Sequence, residues 1–153
     1  GSLADKGWSS LQSSLPVLLI GISGLWLCSR TLDALTFGDE AAGSLGLNLR
    51  RYRRVIIFAA SLTTAAAVSA AGTIGFVGLI APHIARFLFG ARHAYVIPAS
   101  ALVGGILLVL ADNLARTLAA PAALPVGVVT ALMGSPFFLI LLKTRQRELG
   151  AQS

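Results

Sequence analysis

Apolar residues fall into five long runs separated by short polar stretches, at approximately 15–35, 55–71, 74–89, 95–110 and 124–142. A helix that crosses a bilayer needs roughly 20 predominantly apolar residues, so the pattern predicts about five crossings, some near the minimum length. Gly21, Gly24, Gly104, Gly105, Pro98 and Pro136 lie within or beside these runs. Such residues weaken soluble helices but are common in membrane bundles, where small residues let helix backbones approach closely. The Ala-, Ser- and Thr-rich stretch 59–71 fits a tightly packed interior helix. The expected fold is all-α: a polytopic transmembrane helix bundle.

Composition agrees. Of the 153 residues, 56% are hydrophobic and 12% are charged, with a mean hydropathy of +0.81. An ordinary soluble domain has about 25% charged residues. The net charge of +6 would suggest nucleic acid in a polar chain, but here most Lys and Arg sit in clusters between apolar runs. Membrane orientation explains them, and no nucleic-acid partner is expected.

Arg50, Arg51, Arg53 and Arg54 mark the connection at 36–54 as cytoplasmic. Arg86, Arg92 and His93 then fall in a second cytoplasmic connection, and Lys143, Arg145 and Arg147 in a cytoplasmic tail. The two outer connections carry at most Arg116, which puts the N-terminus outside and the C-terminus inside. Cys28 is the one cysteine and lies in an apolar run, so it is expected as a small packing residue. The opening residues lack a basic region ahead of a short apolar core, so no secretory leader is expected. This polar, Trp8-containing start ahead of a hydrophobic run reads as a beginning inside a longer protein.

The connection at 36–54 contains Gly38-Asp39-Glu40-Ala41-Ala42-Gly43-Ser44-Leu45-Gly46. Asp39 and Glu40 suit a helix N-terminus, and Gly46 suits a left-handed stop. The faces of Ala41 and Ala42 are small enough to enter a groove on a partner; a solvated connector is the plainer alternative. Arg116 lies one helical turn from Asp112, which predicts an i,i+4 ion pair. His83 has no second His, Cys or carboxylate at ligand spacing, so no metal site is expected. No Gly-x-x-x-x-Gly-Lys-Ser/Thr loop is present to hold ATP. Gly21-Ile22-Ser23-Gly24 invites an intramembrane serine protease reading, but His83 and His93 fall toward the cytoplasmic side while Ser23 is mid-span.

The Glu-Ala-Ala, three residues, Gly spacing at Glu40 to Gly46 resembles the EAA motif of bacterial ABC importer permeases. Gly72-Thr73-Ile74-Gly75-Phe76-Val77-Gly78-Leu79-Ile80-Ala81-Pro82-His83-Ile84-Ala85-Arg86 closely resembles the signature segment of the FecCD-type permeases for iron-siderophores, haem and cobalamin. Ala111-Asp112-Asn113-Leu114-Ala115-Arg116-Thr117, Leu124-Pro125-Val126-Gly127 and Gly134-Ser135-Pro136-Phe137-Phe138 are similar to the last two spans of that family. With Gly1-Ser2-Leu3 and Trp8 the resemblance runs almost end to end, which argues that Gly1-Ser2 is native sequence.

The resemblance implies that residues 1–153 form the C-terminal half of a permease of about ten helices. It implies a short cytoplasmic coupling helix at Asp39, Glu40, Ala41, Ala42 and Gly46 that docks on an ABC ATPase subunit, where ATP and Mg are bound. This chain is expected to bind no cofactor and to catalyse nothing. Further implied partners are a second permease subunit, membrane lipid, and a periplasmic or lipoprotein substrate-binding protein docking near Arg116. The signature residues carried over are Gly75, Phe76, Gly78, Pro82, His83 and Arg86, with Pro82 and His83 shaping the inner end of their helix and Arg86 anchoring it at the headgroups. Where many members have a glutamate before Leu-Pro-Val-Gly, this sequence has Ala123. The bacterial inner membrane is the implied location. A zinc or manganese importer permease and a secondary transporter are the rival transport readings.

Overall fold

The computed structural model describes residues 8–44, 48–118 and 125–150. Among them are seven helices and no strand: α1 (Trp8–Leu27), α2 (Ser29–Leu35), α3 (Asp39–Ser44), α4 (Leu49–Ala71), α5 (Val77–Phe89), α6 (His93–Leu118) and α7 (Val126–Gly150). The α4 and α6 helices are each long and apolar enough to cross a membrane, and the bent pair α1–α2 makes a third candidate. The α5 helix and the Val126–Ile140 part of α7 are apolar but shorter.

The predicted runs need correction at their ends. The run at 15–35 is not one helix: it breaks at Cys28, and its two pieces meet at 53°. Cys28 is buried at the break, as expected of a packing residue. The run at 74–89 becomes helical only at Val77, because Gly72 turns the chain out of α4 at φ +73° and the backbone through Gly75 is non-helical. The α4 helix starts at Leu49, six residues before its apolar run, where the Asn48 side chain accepts the Arg51 N–H at 3.2 Å and caps the first turn. The α6 helix runs past Leu110 through Asp112, Asn113 and Arg116. Hydropathy ends where charge begins; backbone hydrogen bonding does not.

The α1 helix packs along α4, α5 along α6, and α7 against α6 and more lightly α5. The seams are built from small side chains: Ala59 and Ala66 on α4, Ala81 and Ala85 on α5, Val96, Ala99, Ala111 and Ala115 on α6, Val126 and Val129 on α7. Large apolar side chains such as Leu19, Phe58, Phe87, Leu102 and Leu132 point outward. Water would penalise that arrangement. In lipid there is no hydrophobic drive to bury them, and close backbone contact through small residues holds helices together instead.

Candidate functional site

Two ends of the bundle carry the ion pairs of the described residues. At the first, the chain leaves α2 through a tight turn in which the Thr36 hydroxyl donates to the Asp33 carbonyl at 2.6 Å. Gly38, at φ +102°, redirects it into α3. A short helix is present where the connection predicts one, beginning at Asp39 as expected and ending at Ser44. Asp39 accepts from Arg53 Nη2 of α4 at 2.8 Å, an exposed pair that fixes α3 to the start of α4. Ala42 is fully buried within the chain, so its methyl packs inward and is not free for a partner's groove. The side chains of Glu40 and Ala41, and all of Gly46, lie outside the described residues.

The same end holds a contact that the sequence did not reveal. Asp33 Oδ1 accepts both the backbone N–H of His93, at 2.9 Å, and its ring Nδ1–H, at 2.6 Å. A carboxylate only accepts, so the ring donates through Nδ1. His93 is the first residue of α6, and the acid sits where that helix's unpaired N–H groups and positive dipole end favour an anion. Nearby, Trp26 Nε1 donates to the Ala94 carbonyl at 3.1 Å. His93 is thus part of a helix start, not of a loose basic loop. The available signal was Asp33 itself, the one acid in the run 15–35.

The signature segment joins the bundle's other end to its middle. Phe76 caps α5 at φ +66°, a left-handed backbone uncommon for a bulky residue, and its ring presses on Gly134 of α7. Gly75 lines an open cleft of about 430 Å³ together with Thr73, Pro125, Gly127, Ala131 and Ser135. An added Cβ at Gly78 would meet no neighbour. Pro82 and His83 lie at the middle of α5, not at its inner end; Pro82 cannot donate to the Gly78 carbonyl, and His83 meets Phe137 edge-on with ring centroids 5.6 Å apart. Arg86 is in the last turn of α5 and exposed, in keeping with an interfacial position.

Arg116, in the last turn of α6, pairs with Asp112 at 2.8 Å, so the expected i,i+4 bridge is present, and its side chain stays 60% exposed. Among the described residues no cluster of three or more His, Cys, Asp or Glu side chains is placed to hold a metal. Neither histidine is set as a base for Ser23: His93 is bound to Asp33 and His83 meets Phe137 edge-on.

The chain matches the model of the FecCD transport family over residues 1–144. It is 45% identical over 146 residues to the cobalamin import system permease protein BtuC of Halobacterium salinarum, covering 95% of this chain and 39% of that protein. It is 43% identical over 152 residues to the hemin transport system permease protein HmuU of Yersinia pestis, covering 97% and 44%. Its fold is similar to a transporter described as of metal-chelate ABC type, solved in an inward-facing conformation, with a TM-score of 0.86 at 36% identity over 94% of this chain and 47% of the other. The chain spans less than half the length of these relatives. A match over residues 1–144, carried by an all-helical bundle of the same shape, means that this is a membrane chain and that it belongs to the FecCD transport family.

Proposed function

We propose that the chain is the C-terminal half of the membrane-spanning subunit of an ATP-binding-cassette importer for iron chelates, haem or cobalamin. The observation that carries this reading is the family match over residues 1–144, with relatives named for hemin transport and cobalamin import. In the subunit, α1–α2, α4, α5, α6 and α7 make five crossings of a bacterial inner membrane, with the N-terminus outside and the C-terminus in the cytoplasm. The arginines flanking α3 support that orientation. The α3 segment docks on a separate ATPase that binds ATP and Mg, and a second permease subunit completes the pathway. Closure of the ATPase rocks the helices between outward and inward openings.

The test is uptake of labelled ferric citrate, a ferric hydroxamate, haem and cobalamin by proteoliposomes of the full-length permease with its ATPase. One cargo is expected to accumulate with ATP inside, and accumulation stops when the ATPase's phosphate-binding lysine is replaced by alanine. Uptake that persists on a proton gradient with that ATPase inactive overturns the reading.

At the outer end, Arg116 receives acidic residues of the loaded binding protein, an assignment supported by its exposure despite the Asp112 pair. Arg116→Glu is expected to lower binding-protein affinity several-fold at low salt. The difference should shrink as salt rises and the Debye length falls to about 3 Å at 1 M. Unchanged affinity at low salt would leave Arg116 only its intrahelical role.

A further inference from the structure

We propose that the Asp33–His93 contact is the joint through which displacement of α3 reaches α6 and, along it, the end that carries Arg116. The inference rests on the importer reading above and adds positioning residues that the motifs do not contain.

Among the described residues two links lead from α3 to its neighbours α4 and α2. One is the Asp39–Arg53 pair to α4, more than half exposed on both sides and so weakened by solvent and salt. The other runs back through the turn at 36–38 to α2, which is short, is separated from α1 by the bend at Cys28, and buries Ser29 and Thr31. A seven-residue helix between a bend and a tight turn moves as one piece with whatever pushes α3.

The α2 helix is held to α6 at the Asp33 carboxylate, with Trp26 gripping the next residue's carbonyl from the other side of the bend. The His93 and Asp33 side chains are 15% and 33% exposed, so this joint is more sheltered than the Asp39 pair. His93 begins α6, and Arg116 lies in the last turn of that same helix, roughly 35 Å away at 1.5 Å per residue. A continuous helix transmits a push at its first residue to its far end. The charged and titratable groups that act on the Asp33 carboxylate, among the described residues, are His93 and Arg92, which precedes it on the chain.

The chemistry sets which replacements keep the joint. Both bonds are accepted by one oxygen, so an amide oxygen serves and Asp33→Asn retains it, whereas Asp33→Leu keeps the branched shape but removes that acceptor and both bonds with it.

The experiment uses the full-length permease, free of other cysteines, with Cys28 as serine, assembled with its ATPase in nanodiscs. Single cysteines at Phe37, exposed beside α3, and Thr117, exposed at the far end of α6, are alkylated with a maleimide, with and without ATP and vanadate. In the parent protein nucleotide is expected to change the rate several-fold at both positions. With Asp33→Leu the change at position 37 persists and that at 117 is lost; with Asp33→Asn both persist. A nucleotide response at 117 that survives Asp33→Leu overturns the joint, as does a parent protein that responds at 37 alone. Loss of both responses in Asp33→Leu with the ATPase still bound means a general structural role, and overturns it too. If no ATPase binds the parent permease, the importer reading fails first, and the joint with it.

Discussion

Replacing Gly21 with leucine is expected to lower the stability of the permease by about 3 kcal/mol, the upper range for forcing bulk into a packed seam. Gly21 faces α4 at a close approach: a Cβ there would run into the Thr63 hydroxyl and lie 3.2 Å from the Ala59 carbonyl oxygen. That hydroxyl cannot swing aside freely, because it donates to the Ala59 carbonyl at 2.7 Å. One turn along, a Cβ at Gly24 would sit 3.4 Å from the Ala59 Cβ, a contact that small adjustments absorb. Gly21→Ala should therefore cost clearly more than Gly24→Ala, and Thr63→Ala should recover part, not all, of the Gly21→Ala loss. Thermal unfolding of the full-length protein in detergent measures this. Equal shifts for the two glycines would mean that α1 and α4 are not so tightly opposed.

The second large effect is expected at Gly134. Its missing side chain makes room for Phe76, whose left-handed backbone costs about 1–2 kcal/mol and is held by the packing of its ring and by the Leu79 and Ile80 N–H groups that donate to its carbonyl. Gly134→Leu is expected to expel that ring, loosening the start of α5 from α7, at about 2–3 kcal/mol. Phe76→Gly alone relieves the backbone but surrenders the ring's contacts. The two changes share one space, so the double variant should lose clearly less than the sum of the singles. Additive losses would show that Phe76 and Gly134 do not share that space.

These glycines show what the sequence did and did not make legible. The apolar runs placed the longer helices in order along the chain because each run must hide its backbone in lipid, and Asp112 and Arg116 announced their pair through spacing alone. The break at Cys28 carries no Pro or Gly, so nothing local marked it. The non-helical stretch after Ala71 was masked by Ile74 and Phe76, whose hydropathy continues the run while Gly72 turns the backbone. Asp33 and His93 are 60 residues apart, and only the packing of α2 on α6 brings them together. The interior position of Ala42 was likewise invisible, since a small residue suits a partner's groove and its own fold equally well.

The shortness of α5 has a consequence for water. Thirteen residues rise roughly 20 Å, about 10 Å less than the hydrocarbon thickness of roughly 30 Å. In a subunit whose α5 begins its crossing near Arg86 and Arg92, the unwound backbone from Gly72 to Gly75 sits below the outer headgroups, at a depth where lipid cannot solvate peptide groups. Such backbone persists only against protein or in a hydrated space. Thr73 and Gly75 open onto the cleft shared with Pro125, Gly127 and Ser135, which gives that backbone a space that water, and not lipid, would fill. At this point the span made by α5 alone is shorter than the hydrocarbon layer it would have to cross.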